Sequence, residues 1–587
     1  MYLRRLSATL ALFLTISMAL ATVPAQTSKA TNKGGIASIQ AEDMQQWLTY
    51  LSSDELEGRN TFSEGLGLAA AYIAEHLRDW GVKPGGDNGS YFQRVKVLGV
   101  KSTNRSSVTV EVNGQSKTFK NGEGITWPTN VGGKRTFSVD QVEFLGYGLN
   151  IPQANINDYE GKDVKGKAVV YLGQGPKGLD PQSTRRAIGG RARFATDQMG
   201  ALASIGQTLA RRGGPGGGGG QGQGGQGGGQ GANGGGQGGG RNQLPQPDFT
   251  TVQRLDSPTP PAVNGQDEFF DFLFSGADTK YADLKAKAEA QEPLPRFALK
   301  GVKLTFNVDA DYEVVQTQYT RNVIGIVEGS DAKLKDTYVA FGAHYDHVGY
   351  AQGEVVQGPN GPRLMGAPGA VTAGAEQDRI WNGADDDGSG TTTLLAVCRA
   401  FALGQRPKRS LLFVWHAGEE RGLWGSRYYA DYPTIPIDKI SAQINMDMVG
   451  RNRDNKPEEA NTVYIVGSDR ISTELHNINV DANASLTKPL KLDYEMNDPT
   501  DPEQVYYRSD HYSYAAKGIP IVYLTTGLHQ DYHHNTDSVE KIQFDKMARI
   551  GQLVYATGWR VAQLDHYPAR DNKGPRFGKG SSGKITG

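Results

Sequence analysis

The sequence predicts an α/β fold: a three-layer α/β/α sandwich with a mixed, mainly parallel sheet, plus an inserted β-rich domain. Three observations carry this reading. From about residue 320 onward, short and nearly continuous apolar runs alternate with helical patterns, as strands covered on both faces require. From about 105 to 180 the pattern changes to short alternating runs separated by Gly and Asn, the period of half-buried strands. The chain has 587 residues, more than one hydrophobic core serves, so two or more domains are expected.

At the start, residues 1–25 read as a secretory leader. Arg4 and Arg5 form its charged region, Leu6 to Ala21 its apolar core, and Val23-Pro24-Ala25 a small-residue cleavage site. The apolar core falls short of the roughly 20 residues a spanning helix needs. Export to the periplasm or the medium is therefore expected, with no stable membrane insertion after cleavage. Cys398 is the only cysteine, so no internal disulfide staples the exported chain, and its apolar helical surroundings make it a core residue rather than a nucleophile. The 62 Lys and Arg balance 63 Asp and Glu, which leaves no field to draw the protein towards nucleic acid or an anionic membrane; small or peptidic partners fit better.

Residues from about 41 to 97 read as helical. Ser52-Ser53-Asp54 is a capping cluster, Leu66 to Trp80 carries apolar residues at helical spacing, and Gly81 and Pro84 end that helix. The β-rich stretch includes Ser107-Val108-Thr109-Val110-Glu111-Val112 and Lys167-Ala168-Val169-Val170-Tyr171-Leu172. Between Arg212 and Arg241 the chain is nearly all Gly and Gln; it offers no apolar surface to offset the entropy of ordering and is expected to be a disordered loop. The later strands read as Tyr338 to Ala343, Ser410 to Trp415, Ala442 to Met446 and Ile519 to Leu524, with helices over Gly390 to Leu403 and Ser538 to Leu564. This gives one domain from 41–104 and 301–565, an insertion at 105–300, and a loose tail at 566–587.

Each central strand is followed at its carboxyl end by His, Asp or Glu: His344-Tyr345-Asp346, Asp385-Asp386-Asp387 after a long loop, Glu419-Glu420, Asp447 and His533. Open α/β sheets place their sites at carboxyl strand ends, so these clusters can share one crevice. Imidazole and carboxylate suit zinc, and a catalytic zinc keeps a position for water. Two Zn²⁺ would bring four positive charges against the three negative ones of Asp386, Glu420 and Asp447, and a bridging hydroxide would cancel the remainder. Adjacent residues in a strand point to opposite faces, so Glu419 and Glu420 must lie on a turn, which Gly418 permits. One can then ligate metal while the other takes the proton from water. In His344-Tyr345-Asp346 the first and third side chains share a face, which lets Asp346 orient His344.

The segments His344-Tyr345-Asp346-His347, Asn382 to Gly390, Gly418-Glu419-Glu420, Asn445-Met446-Asp447-Met448, Ser509-Asp510-His511 and Tyr532-His533 through Asp537-Ser538 resemble the co-catalytic zinc peptidases, a family that includes secreted bacterial aminopeptidases and glutamate carboxypeptidase II. The resemblance covers about 320 to 564 and Leu51 to Gly89. It implies two Zn²⁺ per chain, one on His344 and Asp447, the other on Glu420 and His533, with Asp386 bridging and a cis peptide at Asp386-Asp387. It selects Asp386 over Asp385 and His533 over His534, makes Glu419 the general base, and likens Tyr532 to a tyrosine that stabilises the tetrahedral oxyanion; an ordinary packing role for Tyr532 stands beside this. The insertion, including Asp158 to Lys167, looks like a protease-associated domain.

The implied activity is an exported metallo-exopeptidase, first an aminopeptidase in which a zinc-bound hydroxide attacks the scissile carbonyl of a peptide. Carboxypeptidase, dipeptidase or glutaminyl cyclase chemistry, and a non-catalytic binding protein on the same fold, are the alternatives. Asp510 and His511 read as a pocket wall, and His416, Trp415 and Trp424 as core or rim. The Gly- and Pro-rich stretch from Gly349 to Trp381 reads as a lid or a surface excursion, its Glu376 and Asp378 as solvated charges. Replacing the Gly/Gln tract by a short Gly-Ser connector is expected to shift stability by less than roughly 1 kcal/mol, because loop-closure entropy grows only logarithmically with length. Melting temperature and kcat on a single-residue amide report the outcome; a large loss on that substrate would make the tract part of the catalytic unit.

Overall fold

Four strands that are apolar and buried along almost their whole length form the centre of a ten-stranded sheet, in the spatial order Ser410–His416, Tyr338–His344, Ile440–Met446 and Ile521–Thr525. All four run parallel, so their carboxyl ends open on one edge. Both flanks turn antiparallel: Ala310–Val327 and then Phe92–Asn104 on one side, Thr462–Val466 on the other. The computed structural model describes residues 34–151, 154–179, 181–208, 246–358, 361–499, 501 and 503–574. The leader, the Gly/Gln tract and residues 575–587 lie outside these.

Helices Ala41–Leu51, Glu64–Asp79, Gly390–Ala402, Thr473–Ala484 and Phe544–Gln563 supply one face of the sheet with its main core, where Leu48, Ile73, Leu395, Leu475 and Leu553 are fully buried. The opposite face is closed by the short helices Trp424–Asp431 and His511–Ala515, through Tyr429 and Tyr514. Apolar positions at helical spacing explain the first set, since each helix can bury one stripe only against the sheet. Cys398 is fully buried in this core. Among the described residues no helix is long and apolar enough to cross a membrane.

Two local expectations are corrected. The cluster Ser52-Ser53-Asp54, expected to cap the segment Glu55–Arg59, leads into a short turn over Asp54–Arg59 without a capping bond from the Ser53 side chain; the side-chain cap is at Ser63, which accepts the Leu66 amide at 3.1 Å to start Glu64–Asp79. The helical reading up to residue 97 fails from Phe92, where Arg94-Val95-Lys96-Val97 alternates with a period of two and pairs with Ala310–Val327; Val95 and Val97 are its buried side.

A second ten-stranded sheet is built between Ser107 and Val308 around its own core, which includes Val110, Phe144, Val170, Phe270 and Phe306. The chain passes from the first sheet to the second where Phe92–Asn104 leads into Ser107–Val112, and back where Val302–Val308 leads into Ala310–Val327. Phe249–Thr251, from inside the 105–300 stretch, pairs instead with Phe92–Asn104 in the first sheet, where Val252 packs with Val95 and Val97. The start of the tail is not loose. The Thr473 amide donates to Asp571 at 3.1 Å, the Ala569 amide to Glu474 at 2.9 Å and the Asn572 amide to the Ile471 carbonyl at 3.0 Å, so residues 569–572 satisfy the start of helix Thr473–Ala484.

Candidate metal centre and active site

The carboxyl edge of the four parallel strands gathers all five residues read from the sequence as metal ligands. His344 ends its strand and Asp447 follows Met446 directly. Gly418, at φ 74°, turns the chain after His416 so that Glu419 and Glu420 follow on a turn rather than a strand. Asp386 lies in the irregular segment before helix Gly390–Ala402, and the peptide between Asp386 and Asp387 is cis.

Asp386 divides its two oxygens between two groups. Oδ1 lies 3.2 Å from His344 Nε2, which is 3.7 Å from Asp447 Oδ2. Oδ2 lies 3.0 Å from His533 Nε2, which is 3.1 Å from Glu420 Oε2. Glu419 stands beside the first group, its Oε2 3.9 Å from His344 Nε2. His534 faces away and meets Thr372 Oγ1 at 3.0 Å, while Asp385 turns to the Gly450 amide at 2.6 Å and to His529 at 3.1 Å.

His347 also enters the second group, with Nδ1 2.9 Å from Glu420 Oε1 and 3.9 Å from Asp386 Oδ2. The signal for it in the sequence is its place three residues after His344. Among the described residues two side-chain sets could hold a cation, His344 with Asp386 and Asp447, and His347 with Asp386 and Glu420. The donor atoms fit such a group: His344 Nε2, His347 Nδ1 and Glu420 Oε1 are buried and face one another and the Asp386 and Asp447 carboxylates without a well-aligned hydrogen bond, an arrangement a cation would satisfy. Burial opposes charge on His344 and His533, yet Asp447 and Glu419 around the first and Glu420 beside the second hold both imidazoles protonated well above the usual histidine range. These are the protons a metal ion would displace.

The supporting residues come from distant parts of the chain. His344 Nδ1 lies 3.1 Å from the Asp346 main-chain carbonyl and 3.7 Å from its carboxylate. The main-chain carbonyl of Asp346 is thus the nearer contact of the His344 ring, with the expected carboxylate farther off. The Asp346 carboxylate instead accepts the Glu419 amide at 3.1 Å and the Thr61 hydroxyl at 3.2 Å. Asp387 accepts the amides of His344, Gly390 and Met448 at 2.9–3.1 Å, and Asp537 those of Asp385 and Asp386 at 3.0 and 3.1 Å. The Arg59 guanidinium, fully buried, donates to the carbonyls of Leu51, Tyr345, Asn382 and Gly383. The contacts made by Arg59 with residues 345, 382 and 383 and by Asp537 with residues 385 and 386 have no local sequence signal.

A cavity of about 230 Å³ opens beside the cluster, bounded by Asp386, Glu419, Asp447 and Tyr532, by the apolar Met448, Met496, Val505 and Leu528, and by Arg453 and Arg508. The Tyr532 ring stacks on His533 at 4.0 Å, and its hydroxyl accepts from Arg508 Nη2 at 3.1 Å. Burial pushes the Glu419 carboxyl well above its usual range; His344 opposes the rise and Asp447 and Glu420 add to it. His511 and His416 stand apart from the cluster as core residues, both lowered to about 3 by burial; His511 meets the Tyr506 carbonyl and His416 approaches Asp510. Trp415 is fully buried in the main core.

A parallel-centred sheet that gathers two imidazole–carboxylate groups around one shared aspartate at its carboxyl edge forms a candidate metal centre with two positions. Residues 322–558 of the chain match the model of Peptidase family M28. It is 30% identical over 208 residues to leucine aminopeptidase 1 of Arthroderma otae, covering 31% of this chain and 52% of that protein. It is 27% identical over 303 residues to a probable leucine aminopeptidase of Trichophyton verrucosum, covering 49% of this chain and 71% of the relative. The chain spans about half the length of the first of these relatives. An aminopeptidase from Aneurinibacillus sp. strain AM-1 aligns with a TM-score of 0.40 and 18% identity, covering 91% of this chain and 99% of that one.

Proposed function

We propose that the protein is a zinc-dependent aminopeptidase that removes N-terminal residues from peptides, exported by the leader at residues 1–25, with two zinc ions per chain. The observation that carries the reading is the division of Asp386 between the His344–Asp447 and Glu420–His533 groups. His344 and Asp447 would hold one ion, Glu420 and His533 the other, with His347 against Glu420. Zinc bound there supplies a Lewis acid that polarises the scissile carbonyl.

The remaining chemistry belongs to side chains of the cavity. Glu419 is placed to take a proton from the attacking water and return it to the leaving amine. Tyr532, whose hydroxyl accepts from Arg508, can turn its own proton towards the developing oxyanion. Asp346 acts one step removed, fixing the Glu419 amide by its carboxylate and the His344 ring by its carbonyl.

Charge in the cavity favours an amine over a carboxylate at the substrate terminus. A carboxypeptidase needs a cation ready for the terminal carboxylate, but Arg508 already engages Glu503 at 2.9 Å and Tyr532, and Arg453 engages Glu495 at 3.2 Å. Glu419, outside both metal groups, is the carboxylate left to face an ammonium group, and Met448, Met496, Val505 and Leu528 offer an apolar wall for an aliphatic side chain. The test is a matched peptide set with free, N-acetylated and C-amidated ends. N-acetylation is expected to lower kcat/KM by about 10²-fold, the scale of losing one buried charge contact, while C-amidation changes it little. The reverse pattern would make the enzyme a carboxypeptidase.

A further inference from the structure

The stretch from Gly349 to Trp381 is neither a free lid nor a simple surface excursion. It opens and closes on one strand pair, Gly349 with Trp381 and Tyr350 with Ile380, and carries a hairpin of Val355–Gly358 and Gly361–Leu364. Ala351, Leu364 and Trp381 form a small buried core inside it.

Its closing limb lies on the backbone of His533. The Ala370 amide donates to the His533 carbonyl at 2.8 Å, and Trp381 Nε1 donates to the same carbonyl at 3.2 Å and to the Ala370 carbonyl at 2.9 Å. Thr372 continues the contact, its amide donating to Asn535 Oδ1 at 3.0 Å. At Gly369 there is no room for a side chain: a Cβ would stand 2.4 Å from the His533 oxygen and 2.6 Å from Trp381 Nε1. His533 itself has a φ of 56°, a left-handed conformation that a side-chain-bearing residue keeps only when its surroundings hold it. Both hydrogen bonds to its carbonyl come from this excursion.

We propose that the 349–381 excursion is a clamp for the second metal position: it holds the main chain of His533 so that Nε2 stays against Asp386 and Glu420. Trp381 is then a positioning residue. The proposal rests on the metal-centre reading above. It assigns the excursion an effect on metal occupancy, and that effect is local, because the clamp touches His533 and not His344 or Asp447.

The full-length protein, stripped with chelator, is titrated with Co²⁺ against a competing chromophoric chelator, with the cobalt visible spectrum as a second readout. Trp381→Phe removes the Nε1 donor and keeps an aromatic ring; Gly369→Val forces the limb away; Val356→Ser on the exposed hairpin is the control. Trp381→Phe is expected to weaken one of two sites by about 10- to 100-fold and the other by no more than about threefold, the scale on which groups behind a ligand act. The cobalt spectrum should change at the weakened site alone, with the control matching wild type. Gly369→Val should have the larger effect; if it does not fold, Trp381→Phe decides. Two unchanged sites in Trp381→Phe, or equal weakening of both together with a lower melting temperature of the metal-free protein, overturn the clamp. A wild-type protein that binds no cobalt overturns the metal-centre reading and the clamp with it, an outcome distinct from two sites that ignore Trp381.

Discussion

Glu419→Gln is expected to lower kcat by about 10² to 10⁴, the range that a positioned acid–base group contributes, while metal content stays at the wild-type value. Gln has nearly the shape of Glu, and the Glu419 amide contact to Asp346 is main-chain and unaffected. Glu419 Oε2 is 3.9 Å from His344 Nε2, farther than Asp386 and Asp447, so its replacement should spare the metal groups. The check is paired: kcat by peptide hydrolysis and metal by elemental analysis on the same preparation. Full kcat with metal bound would remove Glu419 from the mechanism. A loss of both metal and kcat would make it a ligand instead.

Asp386→Asn is expected to do more, because one side chain serves both groups. Among the described residues its carboxylate is the only one within 3.2 Å of both His344 and His533, and the amide replacement offers one acceptor oxygen and one charge fewer. Losing charge stabilisation worth several kcal/mol in the transition state corresponds to at least about 10³ in kcat. Metal content should fall with it, at both positions and not one. Retention of one full equivalent of metal would show that Asp386 belongs to a single group. In that event the pairing with His347, 2.9 Å from Glu420, would carry the second position without a bridge.

The candidate site was legible in the sequence to the extent that its signals were local. Acidic or imidazole residues directly after apolar runs marked the strand ends, and the adjacent Glu419 and Glu420 required a turn, which Gly418 makes with a φ of 74°. The strand from Phe92 to Asn104 was read partly as helix, because its first half follows a helical stretch and only pairing with Ala310–Val327 settles its period. Asp346 was assigned its partner from the two-residue repeat of a strand. The strand stops at His344, so that repeat does not extend to Asp346.

Sequence alone determined what each segment can become: which runs bury both faces, where the chain turns, and which side chains can bind a cation or move a proton. Those properties depend on residues a few positions apart, within reach of helical and strand periodicity. Tertiary structure decided which of these meet. Arg59 reaches carbonyls at 345, 382 and 383, Asp537 reaches the amides of Asp385 and Asp386, and the excursion ending at Trp381 reaches His533. These contacts join segments about 150 to 320 residues apart through main-chain atoms that every residue carries, so nothing in the side-chain pattern marks them. For the same reason His347, a histidine like any other in the sequence, becomes part of the centre only when the sheet brings Glu420 to within 2.9 Å of it.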